Sequence, residues 1–275
     1  MNRYIPTPSI SSFSVGPFTI HFYALCIISG IAIAVWLGDR RYRQAGGGVN
    51  VIADVAIVTV PFGILGGRLY HLITSPDAYF GAHGHPLDAF KIWNGGLGIW
   101  GAVALGTYVA WKYQIHLKAK GREGLLAFGS FADALAPGLL FAQAIGRFGN
   151  WFNGELFGGP TKLPWGLEIP LALRPTGYEK FATFHPTFLY EAIWCVLVAI
   201  LLMRLESRFK PGQSFVFYIG AYCVGRFFIE SLRIDTAHAF LGLRVNEWVS
   251  MVIAVMAFVL FRRIGRGAEP EKIKG

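Results

Sequence analysis

FTIHFYALCIISGIAIAVWL, residues 18–37, is a run without aspartate, glutamate, lysine or arginine. As a helix rising 1.5 Å per residue, a run of about 20 residues spans the roughly 30 Å hydrocarbon core of a bilayer. A second charge-free stretch, GGLGIWGAVALGTYVAW at 95–111, has the same character. The whole 275-residue chain agrees, with 54% apolar residues and only 15% charged, against about 25% charged in ordinary soluble domains. A large soluble fold is thereby excluded. The same ruler selects seven candidate spans: 18–37, 51–73, 95–113, 125–145, 187–203, 214–232 and 245–261. The expected fold is all-α, a polytopic integral membrane protein of about seven transmembrane helices forming a single membrane domain over 1–275.

The charges orient it. Arg40, Arg41 and Arg43 follow the first span, Lys112, Lys118, Lys120 and Arg122 the third, and Arg204, Arg208 and Lys210 the fifth. Arg262, Arg263, Arg266, Lys272 and Lys274 follow the last. Basic residues in short connections mark the cytoplasmic side, so the C-terminus is expected in the cytoplasm and the N-terminus outside. The net charge of +9 is then topological, and no nucleic-acid partner is expected. The start, MNRYIPTPSISSF, is too polar and proline-broken for a secretory leader, so the first span is expected to be retained. Residues 147–186 are too long for a turn and rich in Gly, Pro, Trp and Phe. They are expected to form an ordered outer arm between the fourth and fifth helices. Cys26, Cys195 and Cys223 lie inside apolar segments without metal-ligand spacing and read as small core residues.

An arginine at the centre of a membrane helix costs about 2.5–3.5 kcal/mol even on a lenient scale, so each one needs a partner or a use. In FYIGAYCVGRFFIESLRID, residues 217–235, Tyr222, Arg226, Glu230 and Arg233 are spaced four, four and three apart and share one helical face. One carboxylate against two guanidinium groups leaves a positive charge, which an anion such as a phospholipid headgroup would compensate. A self-satisfied Arg226–Glu230 pair is the plainer alternative. A second cluster, IGRFGNWFNGELFGGP at 145–160, packs Arg147, Asn150, Asn153 and Glu155 among glycines at a helix end. Guanidinium forks match phosphate oxygens in pairs, so Arg147 and Arg226 are expected to grip one phosphodiester from two sides. His21 with Tyr23, Arg68 with Tyr70 and His71, and His185 with Pro186, Tyr190 and Glu191 lie toward the outer half. Taken singly, each reads as an interfacial or satisfied buried group. Asp133 reads as a hydrogen-bonded structural acid, and the glycines of 93–106 as close helix packing.

At its two clusters the sequence resembles the bacterial prolipoprotein diacylglyceryl transferases. Their signature G-R-x-G-N-F-x-N-x-E-x-x-G stands here as residues 146–158, with Trp151 in place of phenylalanine. HFYAL at 21–25, GGRLY at 66–70, WNGGLGIWGA at 93–102 and HPTFLYE at 185–191 extend the likeness over nearly the whole chain. The resemblance implies transfer of the diacylglyceryl group of phosphatidylglycerol to the lipobox cysteine of a prolipoprotein signal peptide, with glycerol phosphate leaving. It implies no cofactor and no metal. The partners would be phosphatidylglycerol, prolipoprotein signal peptides and membrane lipids, at the outer leaflet of the bacterial inner membrane. Matching functional positions are Tyr23, Arg147, Asn150, Glu155, Gly158, Tyr222, Arg226 and Glu230; Arg233 and His185 join the expected lipid-binding set. The chain departs from the pattern at Trp100, where many relatives carry a histidine proposed as base. The thiol proton is left to the positive field, to a relay through Glu155 or Glu230, or to His185; the four-residue spacing suits Glu230 to orienting Arg226. A transporter or channel for a small anion is the rival class, since inward arginines also line permeation paths, and a non-catalytic anchoring protein is a third. The absence of paired halves with matching broken helices speaks against the transporter.

Overall fold

The computed structural model describes residues 4–74, 76–81, 84–91, 98–237 and 239–266. Among the described residues, eight α-helices run in chain order: α1 Phe22–Gln44, α2 Val51–Thr74, the short α3 Asp77–Phe80, α4 Ile99–Ala119, α5 Phe128–Asn153, α6 Thr187–Leu205, α7 Gln213–Leu232 and α8 Val245–Arg266. Among the described residues, six of these (α1, α2, α5, α6, α7 and α8) are long and apolar enough to cross a membrane. Helix α4 has the length, at 21 residues, but Lys112, Gln114, His116 and Lys118 crowd its C-terminal half. The helices turn Ile28, Trp36, Ile57, Phe228, Met256 and Phe258 outward, an apolar surface suited to lipid and not to water. Pro61 and Pro137 lie inside α2 and α5, as membrane helices tolerate.

The described chain forms two compact units, residues 39–131 and the remainder, with the chain passing between them within α1 and α5. In the 39–131 unit, α2 packs on α4. A Cβ on Gly66 would strike the Gly101 carbonyl, and one on Gly101 would strike that of Gly66, so only glycine permits this approach. The expected small-residue packing is therefore present at Gly101 and Gly106; residues 93–97 lie outside the described residues. Arg68, buried in α2, donates from Nε to the Ala89 carbonyl (2.7 Å) and from Nη2 to that of Asp88, holding the 3-10 turn Pro86–Phe90. Its guanidinium also stacks on Tyr79.

In the other unit, α5 and α6 share a core of Ala136, Leu140, Ala144, Ala192, Cys195, Val198, Ala199 and Leu202, against which Phe215, Tyr218 and Tyr222 of α7 pack. Cys195 belongs to that core and Cys223 is buried elsewhere in the unit, whereas Cys26, expected as a core residue too, is only half-buried on α1. Asp133 of α5 finds its partners at the start of α7, accepting from the backbone N–H of Gly212 (2.5 Å) and of Phe215 (2.8 Å). Gly212, at φ +91°, has no side chain with which to cap its own helix, so a neighbouring helix supplies the cap. Asp133→Ala is expected to cost about 1–2 kcal/mol, read as a lower thermal midpoint in detergent, with Asp133→Asn losing less. An unchanged midpoint would remove the cap from the account.

Strands are the departure from an all-helical chain. β1 (Ile5–Pro6) pairs in parallel with β4 (Leu167–Glu168), and β4 pairs antiparallel with β5 (Thr183–Phe184). They cover a small core of Phe157, Leu167, Ile169, Phe184 and Phe188, which orders the connection between α5 and α6. β2 (Ser12–Val15) and β3 (Phe18–His21) form a hairpin, and β6 (Ala239–Phe240) with β7 (Leu243–Arg244) a second one. Residues 18–21 are therefore strand and not the head of the first span. Gly16, at φ +59°, turns the chain so that β3 lies back on β2, and α1 begins only at Phe22, whose ring stacks on Phe152.

Candidate functional site

Three elements meet at the polar centre. The C-terminal turns of α5 bring Arg147 and Asn150, the first turns of α6 bring Thr187, Phe188 and Glu191, and the last turns of α7 bring Arg226 and Ile229, with Arg233 just beyond its end. Together with Leu156 they line a pocket. Leu156 holds a left-handed backbone at φ +59°, costly for a residue with a Cβ. Its carbonyl accepts the Thr187 hydroxyl, which pins this wall.

Glu191 joins the two arginines. Its Oε1 lies 2.8 Å from Arg147 Nη2 and its Oε2 lies 3.0 Å from Arg226 Nη1, with 3% of its side chain exposed. Tyr222 donates its hydroxyl to the same Oε1 at 2.8 Å. Arg226 turns its other nitrogen, Nη2, to Glu230 Oε2 at 2.5 Å. Glu230 is fully buried and fully engaged. Arg233 Nη1 reaches the same oxygen at 3.3 Å, and Asn246 donates to Oε1 at 3.2 Å. Arg244 Nε stands 3.0 Å from Oε1 as an ion pair whose N–H is not aimed along the bond. Behind them, Arg233 grips Asp235 with Nε and Nη2 (2.7 and 2.8 Å), and Arg244 reaches Asp235 with Nη2 (2.9 Å).

The structure thus brings Arg147 and Arg226 together, and with them Asn150, Tyr222, Glu230 and Arg233. The sequence reading, which set one carboxylate against two guanidinium groups, is incomplete. Glu191 and Asp235 add two carboxylates and Arg244 a further arginine. Asp235 sits two residues beyond Arg233, where the helical spacing used for the stripe no longer applies. Glu191 closes HPTFLYE one turn into α6, but nothing in its spacing ties it to positions 147 and 226.

Asp235 lies outside the helices. Burial pushes its carboxyl up, but the Arg233 hydrogen bonds and the charges of Arg233 and Arg244 outweigh that and hold it below the usual range. A lowered folded value means stabilisation that is present above the unfolded pKa of about 3.9 and lost as pH falls through the folded value. The difference in thermal midpoint between wild type and Asp235→Asn is therefore expected to be constant from about pH 6 to 8 and to shrink below about pH 4. A difference that grew on acidification would contradict this pairing.

Comparison with known proteins places the chain. A family profile described as prolipoprotein diacylglyceryl transferase matches residues 11–263. The chain belongs to the prolipoprotein diacylglyceryl transferase family. It is 54% identical over 256 residues to phosphatidylglycerol–prolipoprotein diacylglyceryl transferase 2 of Streptomyces coelicolor, covering 91% of this chain and 77% of that protein. It is 48% identical to the phosphatidylglycerol–prolipoprotein diacylglyceryl transferase of Bifidobacterium adolescentis (97% and 82% covered) and 49% identical to that of Cutibacterium acnes (96% and 89%).

Of the other expected site residues, Asn150 lines the pocket, whereas Tyr23, Glu155, Gly158 and His185 are not among its lining residues. Asn150 accepts weakly from Arg147 Nη1 (3.4 Å) and donates to Glu155 Oε1 (2.9 Å), which Asn153 also reaches (3.0 Å). Glu155 is exposed, and its Oε2 has no hydrogen bond among the described residues. Tyr23, in the first turn of α1, lies against Gly149, where a Cβ would meet its ring. Gly158 is buried, and its N–H goes to the His185 carbonyl (2.9 Å). A Cβ there would stand 2.8 Å from His185 Cβ and 2.9 Å from the Leu232 carbonyl. Its geometry is that of a close crossing between the start of α6 and the end of α7. The His185 ring meets the Tyr190 hydroxyl through Nδ1 at 3.1 Å. The side chain of Trp100 lies outside the described residues.

Proposed function

We infer that the pocket between α5, α6 and α7 is where this chain moves the sn-1,2-diacylglyceryl group of phosphatidylglycerol onto the lipobox cysteine of a prolipoprotein, releasing glycerol phosphate. The observation that carries the assignment of the site is the meeting of Arg147 and Arg226, from separate helices, on the two oxygens of one carboxylate at the wall of one pocket. Two guanidinium groups so set can also hold the two non-bridging oxygens of a phosphodiester.

The chemistry follows from that grip. A thiolate attacks the glycerol carbon, the carbon–oxygen bond breaks, and charge accumulates on the phosphate oxygens. Fixed donors in a site shielded from water act most strongly there. Arg147 and Arg226 take that role. Arg233, Asn150 and Tyr222 support the phosphate and its two arginines, and Tyr23 closes the side at Gly149. Glu230, with both oxygens occupied, orients Arg226. A free thiol has a pKa near about 8.5, and a nearby positive field raises its thiolate fraction. Of the side chains available to take its proton, Glu155 is the carboxylate with an open oxygen, so we assign the proton to it. Gly158 and His185 hold the crossing that carries Arg233 and the α6 start.

We further place this pocket toward the outer leaflet of the bacterial cytoplasmic membrane. In this arrangement α4 is a seventh crossing, the N-terminus lies outside, the C-terminus lies in the cytoplasm, and the α5–α6 connection is an outer arm that meets the signal peptide. The one-sided distribution of basic residues supports that orientation. The purified chain, reconstituted with phosphatidylglycerol and a lipobox peptide, is expected to add the diacylglyceryl mass to the peptide cysteine. A peptide of unchanged mass rejects the reading, and flux of a small anion in its place would favour the transporter, which neither the relatives nor the closed ion-pair cluster supports.

A further inference from the structure

Glu191 is the part of the site that gripping a phosphate leaves unexplained. In a pocket that binds an anion, a carboxylate in contact with both guanidinium groups lowers the net positive charge the anion meets. Yet Glu191 touches Arg147 and Arg226, lines the same pocket, and is almost wholly buried. Bracing the two arginines is one consequence of this placement. Setting the charge of the pocket is another.

The charges can be followed outward from the pocket. Arg147, Arg226, Arg233 and Glu191 line it, and Glu230 stands directly behind Arg226 and Arg233. Arg244 and Asp235, beyond, pair with each other. Three guanidinium groups against two carboxylates leave one unit of positive charge among these residues. Glu155, held by Asn150 and Asn153, is exposed and does not line the pocket, so water screens its charge and it stays outside this count. A phosphodiester is a monoanion, so pocket and lipid together are balanced. Transfer then changes the phosphorus group. The sulfur–carbon bond forms as the glycerol carbon–oxygen bond breaks, that bond's electron pair passes to the phosphate oxygen, and the thiol proton goes to the base. The bound monoanionic diester has become a monoester whose second ionisation lies near about pH 6, hence a dianion at neutral pH. That dianion exceeds the positive charge of the pocket and faces the fixed carboxylate of Glu191.

Building on the reaction inferred above, we propose that Glu191 is a positioning residue that matches the pocket's charge to a monoanionic phosphodiester and drives out the dianionic glycerol phosphate. It acts through Arg147 and Arg226, whose positions it fixes and whose net charge it limits. Phosphorylated compounds bearing two charges are thereby discriminated against, and the transfer is drawn forward by release of its product.

Two soluble probes test this at about pH 8, well above that second ionisation: glycerophosphoglycerol, the monoanionic diester, and glycerol phosphate, the dianionic monoester. Both are measured as inhibitors of lipid transfer and by calorimetric binding to the purified protein. Wild type is expected to bind the diester at least about tenfold more tightly, since facing like charges is costly. Glu191→Gln is expected to reverse the order, with glycerol phosphate becoming the stronger inhibitor. Glu191→Asp, which keeps the charge, is expected to restore the wild-type order even where its turnover falls. Wild type binding the monoester as tightly as the diester overturns the proposal, as does Glu191→Gln keeping the wild-type order or Glu191→Asp adopting the reversed one. Should Glu191→Gln fail to fold, the wild-type and aspartate measurements still decide. Because binding order is read without turnover, failure of the charge match is distinguishable from absence of diacylglyceryl transfer.

Discussion

Arg147→Ala and Arg226→Ala are each expected to lower kcat/KM for diacylglyceryl transfer by about 10²–10³-fold while the protein still inserts and folds. The magnitude is that of removing one fixed donor from a site where charge develops in the transition state. Folding is expected to survive because neither removal strands a carboxylate. Without Arg147, Glu191 keeps Arg226 and the Tyr222 hydroxyl. Without Arg226, Glu191 keeps Arg147 and Glu230 keeps Arg233 and Arg244. Lysine at either position restores charge without the planar fork and should recover only part of the loss. Because the two arginines hold one phosphate, the double variant is expected to lose far less than the product of the single losses. Near-wild-type kcat/KM in either alanine variant, measured with matched folded protein, would remove that arginine from the transition state.

Glu230→Ala is expected to act on the fold as much as on the chemistry, at a cost of about 3–5 kcal/mol, the range for breaking a buried charge pair by removing one partner. The carboxylate is fully buried and faces Arg226, Arg233 and Arg244, so its loss leaves three neighbouring guanidinium groups sharing Asp235 and Glu191. The measurements are the thermal midpoint in detergent and the yield of monodisperse protein. Glu230→Gln, which keeps the shape and part of the hydrogen bonding, should fall between. A midpoint within error of wild type for Glu230→Ala would mean that the arginines are neutralised by something other than this carboxylate.

The helices of this protein were legible because bilayer crossing imposes one length and one composition on each. Helices α6, α7 and α8 begin within a residue of the expected spans. The stripe Tyr222, Arg226, Glu230 on α7 was legible for the same reason, since a fixed period puts these side chains on one face. Other features were set by partners distant in sequence. Strands β1, β4 and β5 are two residues each and exist only because Ile5 meets Leu167 and Leu167 meets Phe184, so no local periodicity announces them. Residues 18–21 carry an apolar pattern that suits strand or helix, and the turn at Gly16 decides between them. Asp133 was recognisable as a bonded acid, but its partners at Gly212 and Phe215 depend on how α5 lies on α7. Glu191 was visible as a polar residue entering a span; that it bridges Arg147 and Arg226 is a property of three helices together. Arg244 lies in the β6–β7 hairpin, outside any helical stripe, and its role appears only once β7 folds beside the end of α7.

A structure of the chain with a short-chain phosphatidylglycerol bound tests the central claim most directly. The lipid phosphate should lie within hydrogen-bonding distance, about 3 Å, of the guanidinium nitrogens of both Arg147 and Arg226, with its glycerol carbon open to a thiol from the pocket mouth. A phosphate seated away from one of these arginines, or held only by basic residues elsewhere on the chain, would contradict it.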